Sequence, residues 1–486
     1  MAPLEKHPAP KSAGSAAPAP PAVKSALPAG AWMALGVLAE AGYLAWTLCA
    51  AASADSTAPG PGFPYAARLA LYLLLFLPPL AAALLARRPA TRADLNWALL
   101  LAALFRLTLL PAPPVLSDDI YRYIWDGRVQ AHGINPYRYA PDDPALADLR
   151  DAQHHSINHP DVPTIYPPLS QISFAAIAHV SGTVWAFKAM SAAVEIGCWV
   201  VLARIWSARG LSFPALVLYL WNPLVVLEGS GSGHNDALGV SLLLCASLLI
   251  ILGRPALSIT ALAGSIAAKL FPLLALPAWL KATPRRYWIL PPLLWIALWA
   301  PYVGAGPRIW EGLSAYGHHW EQNAFLFRGL RLGVEWVNPK PALDRWWSVA
   351  CAEAGRPELA SWIWPYTEPR QLAKGVVALG LAGTLIGWLR RRAEPPWVAF
   401  RMLGAALLWA PTVHPWYLQW VLPFAAWYGS RAWFVFSASA FLSYAPEGWT
   451  GAPPEVLLWI EYVPFLAVWV WEELRRRSDP RAGAHG

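Results

Sequence analysis

A chain of 486 residues that is 57% hydrophobic and only 14% charged falls far short of the roughly one-quarter charged residues of a soluble domain. Its formal net charge of +8 sits in short basic clusters between apolar runs, a pattern of membrane topology signals that argues against nucleic acid as a partner. The four cysteines show no CxxC or Cys/His spacing, so neither a disulfide framework nor a zinc centre is indicated, and no cofactor is expected.

Residues 1–30, rich in Pro and Ala, predict a disordered cytoplasmic tail rather than a signal peptide. From 31 to 474 one apolar run follows another, each near the ~20 residues that cross ~30 Å of hydrocarbon. The chain therefore reads as all-α: a polytopic membrane protein whose solvent is the lipid bilayer. About twelve spans are predicted, at 31–53, 64–87, 96–114, 184–206, 213–228, 236–253, 287–304, 370–390, 396–413, 416–429, 432–446 and 455–474. The 30 tryptophans, with many tyrosines, suit the two membrane–water interfaces, where an amphipathic ring meets both solvents. Cys49, Cys198 and Cys245 belong to apolar runs, Cys351 to a polar loop.

The positive-inside rule orients the spans. ARRPATR (86–92), LARIWSARG (202–210), KATPRR (281–286), LRRRAEP (389–395) and the basic tail that occupies 475–486 should all be cytoplasmic. Alternation satisfies all of them only if two apolar stretches do not span. Residues 167–181 would dip in and return, and 255–280, broken at KLFP, would form a helical hairpin. Broken helices at membrane depth are tolerated where they line a cavity, so this reading also points to a site. Two large loops, 115–166 and 305–369, then face the extracytoplasmic side.

Polar motifs gather on that face: SDDIYRY (117–123), NHPDVPTIYPP (158–168), EGSGSGHNDA (228–237), HHWEQN (318–323), TVHPWY (412–417) and YAPEGW (444–449). Each has a plain alternative. Asp118 and Asp119 are solvated residues after a span, Asn235 or Asp236 caps a helix, HPWY is an aromatic anchor, and Lys269 snorkels to the interface. Yet Glu228, His234, Asp236 and Lys269 lie in or against apolar helices, where ionisable groups are costly and usually functional. A carboxylate there can deprotonate a hydroxyl. Lysine, arginine and histidine can hold a phosphate leaving group, and aromatic rings beside carboxylates and amides suit sugars. Outside the cytoplasm no nucleotide sugar is at hand, so a glycosyl donor would be lipid-linked.

SDDIYRYIWDGRVQ with GINPY, then TIYPP, EGSGSGHNDA, AAKLFP and TVHPWY, spread over 115–420, together resemble the GT-C superfamily of integral-membrane glycosyltransferases. The likeness is to the polyprenyl-phosphate-mannose-dependent bacterial α-mannosyltransferase branch. That resemblance implies a catalytic carboxylate in the first large outer loop, an inverting reaction and no metal requirement. It implies a plasma-membrane enzyme with its active site outside, a polyprenyl-phosphate sugar, most simply mannose, as donor, and a glycolipid or polysaccharide acceptor. Asp118 is then the first choice of base and Asp119 the second. His414, Lys269 and Arg122 are expected at the donor phosphate. Tyr121, Trp125, Asp126, Tyr166, His234, Asn235, Asp236, Trp416 and Tyr417 are expected to line sugar and acceptor subsites.

The rival from another class is a transporter or lipid flippase. Transporters show internal repeats and midplane charges, whereas here no repeat is visible and the polar residues gather at one face. The topology has a direct check. Single cysteines near Asp148 and Gln322 should react with an impermeant thiol reagent in intact cells, and those near Arg286 and Arg391 only after permeabilisation. Labelling from outside near Arg286 would remove the hairpin and the convergence of motifs with it.

Overall fold

The computed structural model describes residues 24–26, 28–55, 63–85, 88–209, 212–446, 449, 451 and 453–478. Positions 1–23 of the expected N-terminal tail and 479–486 of the C-terminal one lie outside the described residues. Lys24–Ala26 (β1) pairs antiparallel with Arg88–Pro89 (β2). The remaining regular structure among the described residues is helical.

Helix α1 (Ala29–Asp55) packs with the kinked pair α2 (Tyr65–Leu74) and α3 (Leu77–Leu85) and with α4 (Arg92–Leu109). Helices α5 (Asp119–Ala131) and α6 (Pro168–Val180) pair across the polar segment between them, and α7 (Val184–Arg209) follows. Then come α8 (Phe213–Leu220), α9 (Pro223–Val226) and a π-helical turn at Leu227–Gly231. This leads into α10 (Asp236–Ile251), α11 (Pro255–Ala268) and α12 (Leu276–Ala282). The second half runs through α13 (Leu290–Trp299), α14 (Glu311–His319), α15 (Phe325–Val337), α16 (Lys340–Glu353) and α17 (Pro369–Arg390). It ends with α18 (Pro395–Trp409), α19 (Leu422–Tyr428), α20 (Ala432–Ser439) and α21 (Pro454–Ser478).

Local chemistry sets these boundaries. Thr91 and Asp94 form a reciprocal capping box that starts α4. Proline opens the first turn of α6, α8, α11, α13, α17 and α18, where its missing N–H costs nothing. Among the described residues six segments are long and apolar enough to cross a membrane: 30–53, 65–85, 184–205, 213–231, 285–319 and 369–390. Other expected spans are present as shorter apolar helices, including Asp236–Ile251 and Ala432–Tyr444. The protein is an all-α polytopic membrane protein. Its lipid-facing side chains are apolar: on α17, Leu379 is 75% exposed and Ala373 is the buried residue. The expected loop 305–369 is largely helical, with Phe327 of α15 buried against Ala373, and Cys351 is buried on α16 rather than in a loop.

The 255–280 stretch is broken as its sequence suggests. Lys269 ends α11 in an extended conformation, and a 3-10 turn at Phe271–Ala275 precedes α12. Helix α6, at ~1.5 Å per residue, reaches about 20 Å and falls short of the ~30 Å of hydrocarbon.

An ion pair holds α4 to α7 inside the bundle. Arg106 donates to the Glu195 carboxylate, to the carbonyls of Ala102 and Leu220 at 3.1 Å each, and lies 4.5 Å above the Trp199 ring. The π turn brings Gly229 so close that a Cβ there would sit 1.6 Å from Glu195 Oε1. Gly229→Ala must therefore push a buried charged pair apart. Overpacking of this kind costs about 1–3 kcal/mol, so the variant should melt well below the parent in detergent. An unchanged Tm would contradict this packing.

Candidate functional site

The chain between α4 and α5 leads into the start of α5, where Asp118 at the N-cap and Asp119 in the first turn stand at the positive end of the helix dipole. One side-chain amide holds both: Asn158 Nδ2 donates to Asp118 Oδ1 at 2.7 Å and to Asp119 Oδ1 at 2.9 Å. Burial, and next the neighbouring Asp119 charge, hold the Asp118 carboxyl above the usual carboxylate range, while the Asn158 hydrogen bond pulls the other way. Asp119 turns its second oxygen toward His234, with Nδ1 at 3.8 Å.

His234 is the base of a stack. Its ring lies on Trp416 (centroids 4.1 Å apart, planes at 16°), and Trp416 lies on His414 (4.3 Å, 4°). Tyr123 Oη is 3.4 Å from His234 Nδ1, and Glu228 Oε2 is 3.3 Å from Nε2. Tyr444 donates to the other Glu228 oxygen at 2.6 Å. Glu228 owes its position to the π turn, a helical irregularity frequent at functional sites. The His414 ring makes no hydrogen bond among the described residues, and burial pushes its imidazole down to about 4, so it is neutral at physiological pH. It does not cap the 3-10 turn that follows it with its side chain.

Lys269 donates to Asp236 Oδ1 at 2.6 Å, and Trp420 Nε1 donates to the same oxygen at 2.6 Å. The Lys269 ammonium also lies 4.6 Å over the Tyr417 ring, and Tyr417 shares a 2.8 Å hydroxyl bond with Tyr316. Asn235 makes no capping bond. Its amide donates to Ser170 Oγ at 2.9 Å, tying the GHND turn to α6.

These groups enclose a polar chamber of about 380 Å3. Asp118, Asp119, Arg122, Tyr166, Lys269, His414, Trp416 and Tyr417 all line it. Beside it runs an apolar groove of about 520 Å3, walled by Leu270, Phe271, Leu273, Leu274, Leu313 and Leu385. Lys269, Tyr166, Tyr316, Trp320 and Tyr417 belong to both, so the two spaces meet at the lysine.

Other expected site residues lie elsewhere. His234, Asn235 and Asp236 stand behind the chamber wall, not in it. Asp126 is buried and fully engaged by Arg122 (3.0 Å), Thr164 (2.5 Å) and Gln171 (2.8 Å), so it braces the loop rather than meeting a sugar. Trp125 is buried among Val129, Leu146 and Ile157, with its ring 4.9 Å from His154. Tyr121 packs between the same cluster and Ile120, away from the chamber. Arg122 points only its Nε at Asp126, and its terminal nitrogens have no hydrogen bond among the described residues.

Sequence reasoning singled out Glu228 as a costly ionisable group without giving it a role, and missed Asn158, Tyr316, Trp320 and Tyr444. Asn158, Trp320 and Tyr444 sit inside motifs that stood out by their polarity, but polarity did not say which side chain turns inward. Tyr316 had no signal of its own. Among the described residues no group of three or more His, Cys, Asp or Glu side chains is placed to hold a metal ion.

A helical membrane body carries paired carboxylates at a polar chamber that continues into an apolar groove, and the comparisons with known proteins identify it as an integral-membrane glycosyltransferase of the GT-C type. The family model described as alpha-(1->6)-mannopyranosyltransferase, N-terminal domain, matches residues 27–284, more than half of the chain, and the chain belongs to that family. It is 26% identical over 399 residues to alpha-(1->6)-mannopyranosyltransferase A of Mycobacterium tuberculosis, covering 77% of this chain and 74% of that protein. It is 25% identical over 403 residues to a probable alpha-(1->6)-mannopyranosyltransferase of Mycolicibacterium smegmatis, covering 71% of this chain and 66% of that one. No solved structure matches the chain.

The Lys269–Asp236 pair separates structure from function. Lys269→Met leaves a buried carboxylate short of its cation and should destabilise the protein by about 1–3 kcal/mol. Adding Asp236→Asn should restore much of the Tm, because the unpaired charge is gone, while turnover stays lost. Full activity of the double variant would take Lys269 out of the site.

Proposed function

We propose that the protein transfers a mannosyl residue from a polyprenyl-phosphate donor to a hydroxyl of a mannan-type glycan, at the extracytoplasmic face of the plasma membrane. The observation that carries this reading is the junction at Lys269. A polar chamber with two carboxylates opens there onto an apolar groove, as a ligand with a sugar head, a phosphate and an isoprenoid tail requires.

In this reading the tail lies along Leu270–Leu274, and the phosphate sits at the lysine. Lys269 has three donors and spends one on Asp236. The free nitrogens of Arg122 and the unbonded ring of His414 face the same space. The acceptor hydroxyl approaches Asp118, whose second oxygen is free of the Asn158 bond. Asp118 takes the proton as the hydroxyl oxygen bonds to the anomeric carbon. The bond from that carbon to the phosphate oxygen breaks, and its electron pair leaves with the polyprenyl phosphate. The cations neutralise the charge gathering on the leaving group. A single displacement inverts the anomeric centre, so an α-linked product needs a β-linked donor. Asp119, held by Asn158 and facing His234, positions the pair. No metal enters these steps.

Asp118→Asn keeps shape and removes the base. Turnover by purified protein should fall by about 10²–10⁴-fold, with donor binding retained. The pH profile adds a signed check. The base must be ionised, so the acid limb of kcat/KM should lie above the usual carboxylate range, in the direction of the Asp118 shift. Asn158→Ala removes a bond to the charged form and should move that limb to higher pH. Asp119→Asn removes a like charge and should move it lower. Equal profiles for all three proteins would contradict Asp118 as the base.

A further inference from the structure

A second polar cleft opens beside the chamber. It encloses about 680 Å3 between the segment His159–Pro163 and helix α14 with the turn after it. That lies within the ~300–1,000 Å3 of typical ligand sites. His159, Val162, Pro163, Trp320 and Gln322 line both spaces, so the cleft is the outer continuation of the carboxylate chamber.

Its walls are fixed. Gly312 of α14 lies so close to the 163–164 backbone that a Cβ would sit 2.2 Å from the Pro163 carbonyl oxygen. Gln322 donates its N–H to Pro411 at 3.0 Å and accepts from Val413 at 2.9 Å, locking the turn to the extended segment that carries His414. His159 is held at φ +45°, a costly conformation for a residue with a Cβ, and its ring meets Trp320 edge-on at 4.6 Å. Strain of that kind persists where the surroundings enforce it, and here it places an aromatic pair between the two spaces.

The charges on the walls are of two kinds. Glu321 is neutralised by Arg331 at 3.1 Å and Arg370 at 3.0 Å. The side chains of Asp161 and Glu311, on opposite walls, make no ion pair or hydrogen bond among the described residues. Two acceptor-only carboxylates facing a cleft with an indole between them match a neutral polyol. Sugar hydroxyls donate to carboxylates, and the C–H face of a pyranose rests on an aromatic ring.

We propose that this cleft is a distal acceptor subsite. It holds the mannosyl units behind the one that receives the new sugar, with Asp161 and Glu311 binding their hydroxyls and Trp320 stacking at the boundary with the chamber. The subsite rests on the mannosyl-transfer reading and makes it more specific: the enzyme senses acceptor length. A glycan long enough to leave the chamber gains contacts that a short one lacks.

The test uses the full-length protein in lipid nanodiscs, polyprenyl-phosphate mannose, and synthetic α-1,6-linked mannosides of two and five units. The pentamer should show the lower KM. Asp161→Asn and Glu311→Gln should each raise the pentamer KM about 3- to 10-fold with kcat unchanged, and should leave the dimer KM where it was. Both substitutions keep the side-chain shape at exposed positions, and an unchanged dimer rate certifies the fold. If both acceptors are used equally and neither variant shifts the pentamer KM, the subsite is overturned while mannosyl transfer stands. If the variants lose kcat with both acceptors, the carboxylates serve the chamber and the subsite is likewise overturned. If the wild-type protein extends no mannoside of any length, the proposal falls together with the reading beneath it.

Discussion

A carboxylate inside a membrane protein needs a cation or donors beside it, because water is not there to supply them. Asp236 is that group here. One of its oxygens receives both Lys269 and Trp420. Gly239 lets the Trp420 ring approach α10, where a Cβ would sit 2.3 Å from the ring. Ser265 of α11 donates to the Gly239 carbonyl at 2.6 Å. Helix α11 breaks at Lys269, whose backbone is extended, and Pro272 has no N–H with which to continue the helix to the Ala268 carbonyl. The break in turn creates the edge where polar chamber becomes apolar groove. One buried acid thus shapes the place where a lipid phosphate is proposed to sit.

The histidine stack applies the same economy of charge. Glu228 and His234 approach one another in a buried region, Asp119 reaches His234 from the chamber side, and Tyr123 and Tyr444 place hydroxyls around them. Trp416 separates this cluster from His414, which burial keeps neutral. A neutral imidazole can donate one hydrogen bond to an arriving phosphate, and the phosphate charge would then favour its protonation. The transporter alternative has less to explain these groups with. A passage for substrate does not require two carboxylates clamped by one amide, nor a groove that ends at a lysine.

Much of this was legible in the chain. Composition identifies a helical membrane protein, and proline at KLFP marks the broken hairpin. The cost of burying ionisable groups singled out Asp236 and Lys269. The helix α5 shows where reading by motif stops. Asp118, Asp119 and Arg122 share one side of its first turn. Tyr121 and Trp125, one turn apart, lie on the flanking stripe and pack into the loop core. Asp126 lies on the right stripe but about 10 Å further along the axis, out of reach of the chamber. Motif membership does not resolve those differences; helical geometry does. The outer-loop region 305–369 is largely helical, and within it FLFRGLRLGV carries the i, i+3, i+4 spacing of an amphipathic helix. Asn158 was unreadable for another reason. Its role depends on a turn of loop returning across forty residues to α5, which no local pattern encodes.

The central claim is that chamber and groove together hold one lipid-phosphate sugar, with its phosphate at Lys269. Electron cryomicroscopy of the protein in nanodiscs, with a non-transferable polyprenyl-phosphate mannose analogue, tests it most directly. The account predicts phosphate density against Lys269, Arg122 and His414, the isoprenoid along Leu270–Leu274, and the anomeric carbon facing Asp118. A lipid bound elsewhere, or a phosphate on the side of Arg286 and Arg391, would contradict it.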